Sequence, residues 1–474
     1  MSEKLTKLSA VKLATMIRAR AVSPVEIVEA HLSRIEKLNP KLNAVVTLAP
    51  DAVDRAREAE TKIMLGEDVG ALHGVPLTIK DTIETKGLKT TSGSLLRASH
   101  MPDEDAPAVG RLKAAGAILL GKTNVPEMAI PYECDNPVFG RTNNPHDLRL
   151  TSGGSSGGEA AAISACLTPA GLGSELSGSI RVPAHFCGIV GLKPTAGRVS
   201  ADGHFPEAIG AFSLGAVIGP MARKVEDLSL LLNVMTGLNA VESGPSSNNA
   251  HSGARADMRG WRVALYLDEN RAPVTHETQA AIRAATLSLT EAGLVVVDEK
   301  PPGLESSIDL WPALFSRASI LQLRSVYSGK EAQAGAVARS ILASTEETPA
   351  PSLDEFIHTW MKRDALRREL IQWMNTTPLI IAPVGAVPAF EHGARQVYVG
   401  EQSISIFRAF SYSRISNALG LPSVSVPAGR TREGLPIGAQ IIGRPFAESE
   451  ILSAASIIEE SLGGWVQPAS EMMR

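Results

Sequence analysis

Aromatic residues are scarce in this chain, cysteines are few, and neither charge is in large excess. Phe, Trp and Tyr together make up 4% of the 474 residues, too few for the stacking platforms on which proteins bind single-stranded nucleic acid. Lys and Arg number 46 against 50 Asp and Glu, a formal net charge of −4, so the basic footprint of a nucleic-acid binder is missing. The three cysteines, Cys134, Cys166 and Cys187, are odd in number and lack metal-ligand spacing, which excludes a disulfide framework and a cysteine metal site. Reduced thiols and a cytoplasmic setting are expected. The N-terminal stretch MSEKLTKLSAVKLATMIRAR carries charges among its apolar positions and does not read as a signal peptide. The longest apolar run, Pro378–Phe390, is too short and too rich in proline to span a bilayer. No metal, cofactor, nucleic-acid or membrane partner is therefore expected.

What is present is an ample supply of core residues, 44% of the chain, enough for a large buried interior. Leu8, Val11, Leu13, Met16 and Ile17 have helical spacing. Ser23-Pro24-Val25-Glu26 is a capping box with proline at the first helical position, and Asn39-Pro40 is expected to end the helix it starts. Residues 1–62 thus read as an N-terminal helical module. From about Gly74 onward, short apolar runs alternate with helical stretches: Val75–Ile79, Val109–Ala115, Ile118–Leu120, Val263–Leu267, 276–292, Val295–Val297, Leu379–Ile381, Ser423–Val426 and Ile437–Ile442. Such alternation predicts an α/β core over 63–474, with a mixed sheet between helix layers. Residues 305–375 read as a mainly helical insertion, and Glu242–Met258 as a polar surface loop.

Chemistry concentrates in the middle of the chain. Between positions 151 and 182, fourteen of thirty-two residues are Gly or Ser. Glycine loses the most entropy on ordering and buries nothing, so this composition serves no packed element. It suits backbone N–H groups that approach a ligand and hydroxyls presented in a tight space. A flexible linker is the bland alternative, but Ile163, Leu172, Leu176 and Ile180 are interleaved as in ordered structure. Upstream, Lys80 closes the apolar run of Gly74–Asp81. It could simply reach solvent at a strand end. Beside serine-rich loops, a buried neutral lysine is a candidate base, which requires lowering its pKa by roughly three units, about 4 kcal/mol.

Two motifs compete with this assignment. Gly116–Thr123 matches the P-loop pattern letter for letter. Its middle residues are themselves a strand, however, and Asn124-Val125-Pro126 disfavours the helix a phosphate cradle needs. Gly153-Gly-Ser-Ser-Gly157 fits the nucleophile elbow. A helix follows it over Glu159–Ala165, but the preceding Asn143–Ser152 reads as loop rather than strand. His185, His204 and His276 could be offered as bases, though a lone histidine is more often a surface or satisfied core residue.

Gly74–Asp81, Gly116–Ala129, Asn144–Ala160, Gly173–Pro183 and Gly188–Arg198 occur together and in order, and in this the chain resembles the amidase signature family. The resemblance runs from about residue 65 to the C-terminal region and includes Leu435–Pro445. It implies a large mixed twisted sheet sandwiched between helix layers and a Ser–cis-Ser–Lys triad. Carried over by motif, Ser179 is the nucleophile, Ser155 the bridging serine with a cis peptide before it, and Lys80 the base. Backbone N–H groups of Leu176, Ser177, Gly178 and Ser179 are the implied oxyanion hole. Arg181 is a supporting residue, and Tyr132, Ser156 and Gly154 are candidates for substrate contact. Acyl-side specificity is expected from Tyr132 and its neighbours, from residues 305–375 and from around Phe407–Tyr412. The chain departs from the family where Glu175 replaces the usual Asp and Ser177 the usual Gly. If residue 177 needed a positive φ, serine there would be strained.

The implied activity is hydrolysis of the acyl C–N bond of a small amide or acyl hydrazide through a seryl acyl-enzyme, with ammonia, amine or hydrazine as the other product. The alternative is the glutaminase (A) subunit of a tRNA-dependent amidotransferase, which passes ammonia to a partner. Against that alternative, Ser200–Pro206 replaces the segment expected there, and no glutamine clamp is recognisable in 305–375. A non-catalytic binding protein is a third option, discriminated by failure to react with a serine-directed probe. A homodimer is left open.

Overall fold

A computed structural model describes residues 2–237, 257–268, 271–344 and 351–469. Its centre is an eleven-stranded sheet. In chain order the strands of the molecule are β1 (Val45–Leu48), β2 (Pro76–Lys80), β3 (Ile118–Thr123), β4 (Asn143–Asn144), β5 (Asp147–Thr151), β6 (Ala170–Glu175), β7 (Val190–Lys193), β8 (Val217–Ala222), β9 (Arg262–Leu265), β10 (Val295–Val297), β11 (Leu379–Pro383), β12 (Gln396–Val399), β13 (Gln402–Ser405), β14 (Ser423–Arg430) and β15 (Pro436–Ile442). The large sheet runs β1-β3-β2-β6-β8-β7-β14-β15-β11-β9-β10, while β4 with β5 and β12 with β13 form two small sheets. It is mixed. β3, β2 and β6 are parallel to one another, as are β11, β9 and β10, and the middle of the sheet is antiparallel.

The inner strands β2, β3, β6, β7, β8, β11 and β15 are buried on both faces, which leaves no strict polar alternation in them. Successive residues feed different apolar clusters. Leu119 packs with Ala108, Leu112 and Leu228, whereas Ile118 and Leu120 pack with Val28, Ala52 and Ala161. Likewise Leu379 and Ile381 join the first cluster, and Ile380 and Ala382 join Trp311, Phe315 and Tyr412. Period-two side-chain placement thus puts helices over both faces.

The first 62 residues are mostly helical, but they also contribute β1, which pairs antiparallel with β3. The capping box at Ser23 is formed as expected. The helix it opens runs to Leu42, two residues beyond Pro40. Proline in the last turn removes one N–H without halting the chain, and Asn43, in the left-handed region at φ 51°, ends the helix by donating its N–H to Asn39 O. Residues 305–375 are mainly helical, with helices over Leu304–Trp311, Arg317–Tyr327, Ala336–Ser344 and Leu353–Trp373. The stretch before the Gly-Gly-Ser-Ser motif is not all loop as expected, because Asp147–Thr151 is β5. Leu148 and Leu150 do alternate, but the buried ends are the polar Asp147 and Thr151, the reverse of the usual signal. The loop expected over Glu242–Met258 lies outside the described residues as far as position 256.

Candidate active site

The site is built at the ends of the parallel strands β2 and β6. Lys80 is the last residue of β2 and has no exposed surface. Its Nζ lies 2.7 Å from Ser155 Oγ and donates to Ser174 O at 3.1 Å. Burial pushes its pKa down to about 7, against weaker upward pulls from Cys134, Glu175 and Glu159. The adjacent Asp81 does not pair with it. Asp81 Oδ2 accepts from Thr91 N at 3.0 Å and Thr91 Oγ1 at 2.5 Å. The false P-loop is resolved too. Lys122 lies on β3, fully buried, and donates to Ile83 O, to Thr85 Oγ1 at 2.9 Å and to Thr90 Oγ1 at 3.1 Å. It bonds the core and faces no ligand cradle.

Ser155 stands two residues before the helix Gly157–Ser164, and the Gly154–Ser155 peptide is cis. Glycine at 158 allows that helix to press on the chain after β3, since a Cβ there would sit 2.4 Å from Asn124 N. Ser156 is buried beneath the site. Its N–H donates to Ser179 O at 3.0 Å and its hydroxyl to Ser174 O at 3.3 Å, so it ties the two serine loops together. Gly154 is packed against Pro131 O. Neither Gly154 nor Ser156 is on the wall of the cavity, whereas Tyr132, Ser155 and Ser179 are.

Ser179 lies between β6 and the helix Arg181–Cys187. The structure brings Ser155 and Ser179 to the same cavity, but no hydrogen bond joins their hydroxyls. Glu175 and Arg181 hold the intervening loop. Glu175 Oε2 accepts from Ile180 N at 2.9 Å and Arg181 N at 3.1 Å, and Oε1 accepts from Arg181 Nε at 3.0 Å. Arg181 also donates to Ser413 O, Asn417 Oδ1 and Gln440 Oε1. Burial raises the Glu175 carboxyl, but Arg181, Lys193 and the Ile180 N–H together outweigh it and the net shift is downward. The longer carboxylate thus serves the loop as its buried anchor. Ser177 is not among the residues with positive φ; Gly178, at φ +106°, takes the left-handed position. Serine is therefore accommodated at 177. Among the described residues, none of the N–H groups of Leu176, Ser177, Gly178 and Ser179 donates a backbone hydrogen bond.

The cavity has a volume of about 440 Å³, and its wall includes Trp311, Phe212, Phe407, Leu323, Ile341 and Met128. Among the described lining residues none is Lys or Arg, and the only carboxylates are Glu175 and Glu207. Sequence reasoning places none of the apolar wall from 305–375 by residue. It also leaves His204 aside. His204 lines the cavity, with Nδ1 2.7 Å from Pro206 O and Nε2 2.8 Å from Ser174 Oγ. Since a carbonyl only accepts, Nδ1 carries the proton and Nε2 accepts from Ser174. Burial lowers its pKa to about 4. His185, by contrast, is a satisfied core residue, accepting from Gly438 N at Nδ1 and donating to Val387 O. Glu159 has no signal in the sequence either. It lies fully buried under β2 and β3 and accepts from Thr78 Oγ1 at 2.5 Å and Thr123 Oγ1 at 2.7 Å. Burial raises it to about 7.

A mixed sheet of this order, with two serines on one cavity and a buried lysine bonded to one of them, belongs to a class of amide-cleaving hydrolases. Residues 26–452 match the family model described as Amidase. The chain belongs to the amidase (amidase signature) family and is an amidohydrolase of that family. It is 34% identical to the glutamyl-tRNA(Gln) amidotransferase A subunit of Bdellovibrio bacteriovorus, over 96% of this chain and 97% of that one. Identity to the corresponding protein of Carboxydothermus hydrogenoformans is also 34%, with the same coverage. Among solved structures, 6-aminohexanoate cyclic dimer hydrolase complexed with substrate superposes with a TM-score of 0.85 at 27% identity, covering 99% of this chain and 100% of that one. A bacterial aryl acylamidase of the amidase signature family superposes with a TM-score of 0.81, also at 27% identity, covering 98% and 97%.

Proposed function

We propose that this chain hydrolyses the acyl C–N bond of a small amide or acyl hydrazide with an uncharged, apolar acyl group. The observation that carries this proposal is the apolar wall above Ser179, which lacks a cation among its described residues. In the proposed cycle, Ser179 Oγ attacks the carbonyl carbon. Its proton passes to Ser155 Oγ as Ser155 gives its own to neutral Lys80 Nζ. This step needs Ser179 Oγ to turn toward Ser155 when substrate docks. The N–H groups of Leu176–Ser179 receive the oxyanion. Collapse breaks the C–N bond, and the proton returns from Lys80 through Ser155 to the leaving nitrogen. Water then attacks the ester and gives up its proton through Ser155 to Lys80; collapse breaks the bond to Ser179 Oγ, which takes that proton back through Ser155, and the carboxylic acid product ionises as it leaves. Tyr132, on the cavity wall, would contact the acyl group.

Release of product from a panel of anilides, aliphatic amides and acyl hydrazides tests the proposal. Ser179→Ala should abolish turnover and leave the fold intact. An acyl adduct found by mass spectrometry on Ser155 instead would overturn the assignment of roles.

A second function is favoured by a specific observation, the 34% identity to glutamyl-tRNA(Gln) amidotransferase A subunits over nearly the whole of both chains. In that case the substrate would be glutamine and the protein would work with partner proteins. Glutamine brings an α-carboxylate, for which the described cavity wall offers no counter-ion. Ammonia release from glutamine, together with copurification of a partner protein, would establish this function over the first.

A further inference from the structure

Three hydrogen bonds fix the peptide planes between Leu176 and Ser179. Trp311 Nε1 donates to Leu176 O at 2.7 Å. The Tyr132 hydroxyl donates to Ser177 O at 2.7 Å and accepts from Ser177 Oγ at 2.8 Å. Val182 N donates to Gly178 O at 2.7 Å. These peptides are trans. A trans peptide is planar and carries its C=O and N–H on opposite sides. Holding Leu176 O therefore sets the direction of the Ser177 N–H, holding Ser177 O sets that of Gly178, and holding Gly178 O sets that of Ser179. None of these three N–H groups is spent on another backbone acceptor among the described residues.

Both side-chain donors are themselves held. Tyr132 packs on Phe410 with ring centroids 5.0 Å apart, and Trp311 on Phe315 at 5.6 Å and Phe407 at 5.8 Å. Tyr132 comes from the segment after β3, and Trp311 closes the helix Leu304–Trp311 of the helical insertion. Both also line the cavity.

We propose that Tyr132 and Trp311 are positioning residues for the oxyanion hole: their hydrogen bonds to the carbonyls of Ser177 and Leu176 orient the N–H groups of Gly178 and Ser177 toward the developing charge. The inference rests on the acyl-transfer function proposed above. It means that the helical insertion does more than shape the cavity, because one of its side chains sets the geometry of the reacting centre. Two residues that line the cavity also aim the donors, so specificity and rate would be coupled through them.

The test uses a fluorophosphonate probe, which reacts with the serine nucleophile and places a negative oxygen where the oxyanion would lie. The wild-type protein and its Tyr132→Phe and Trp311→Phe variants are compared by mass spectrometry and by the rate of labelling at saturating probe. Losing an oxyanion donor outright costs about a hundred- to thousand-fold. Losing a group that only aims one should cost less, on the order of tenfold per variant by the same measure, with half-saturation by the probe little changed. Tyr132→Phe removes one oxygen and keeps the ring, so it decides the matter even if Trp311→Phe unfolds. A Tyr132→Phe variant that labels at the wild-type rate, or that loses only probe affinity, overturns the inference. Absence of labelling at Ser179 in the wild type would instead remove acyl transfer itself, and this role with it.

Discussion

Lys80 has to be uncharged to accept a proton, and its surroundings bear on that directly. Burial brings its pKa to about 7, so the neutral amine predominates just above neutrality. Activity should rise with pH through a single ionisation near that value, because only the deprotonated form acts as base. Lys80→Ala should lower the rate by several orders of magnitude, and Lys80→Arg should not restore it, since arginine does not deprotonate in proteins. A pH profile that is flat from about 6 to 9, across the range expected for a shifted lysine, would remove Lys80 from the role of base. The Glu175–Arg181 pair makes a second case at this scale. Both side chains are wholly buried, and the carboxylate also accepts two loop N–H groups. Glu175→Gln leaves a buried guanidinium without its counter-charge, which costs about 3–5 kcal/mol. Thermal unfolding should show a large loss of stability, and a variant as stable as the wild type would mean that Asn417, Gln440 and Ser413 O suffice for Arg181.

At the scale of elements, β2, β3, β6 and the helix Gly157–Ser164 form one tightly seated unit. Gly171 on β6 leaves room for Glu159, because a Cβ there would come 2.1 Å from Glu159 Oε1 and 2.4 Å from Thr78 O. Gly171→Ala should therefore push Glu159 off its two threonines and destabilise the protein by about 1–3 kcal/mol or more, read as a lower unfolding midpoint in denaturant. β2 and β3 were legible as apolar runs, since burial on both faces leaves no polar alternation to confuse them. β6, Ala-Gly-Leu-Gly-Ser-Glu, was not, because its small residues carry no apolar pattern and the Gly/Ser-rich stretch read as unsuited to packed elements, yet it is fully buried. Lys80, Ser155 and Ser179 stood out because lysine at the end of an apolar strand and serine among glycines are poor choices for packing alone. The aromatic wall stood out only as regions, 305–375 and Phe407–Tyr412, and not residue by residue. Trp311 and Phe407 have ordinary helical surroundings, and only the fold brings them to the cavity of Ser179. His204 was discounted as a lone histidine and Glu159 was not singled out, because their partners, Ser174, Thr78 and Thr123, lie 30 or more residues away in sequence. Helix ends were read less well than strands. Pro40 looked like a stop, yet a proline in the last turn sacrifices only one bond, and the left-handed Asn43 supplies the true end.

Across the whole molecule, the eleven-stranded sheet and its two helix layers bury ionisable groups that have no room for charge, and this shapes the response to pH. His31 is held down to about 3, and His146, His185 and His204 to about 4, chiefly by burial. These favour folding as pH rises toward the ordinary histidine value of about 6.5. Asp81, Glu159 and Asp227 are raised by burial to about 6, 7 and 7. They hold protons in the folded state that the unfolded chain has lost, so they act in the opposite direction up to about 7 and offset the histidines. Above that point the lysines dominate. Burial lowers Lys80 and Lys193 to about 7 and Lys122 to about 8. Between those values and the ordinary lysine value of about 10.4, the unfolded chain binds protons that the folded one does not. Stability should accordingly rise with pH from about 7 to about 8.5, where unfolded thiols begin to ionise. Cys134, raised to about 12 by burial, then pulls the other way, because its folded state keeps a proton that the unfolded thiol gives up. Thermal unfolding followed by circular dichroism should give a higher midpoint at about pH 8.5 than at about pH 7. A midpoint that falls over this interval would mean that the buried lysines are charged in the folded protein, and Lys80 could not then serve as the resting base.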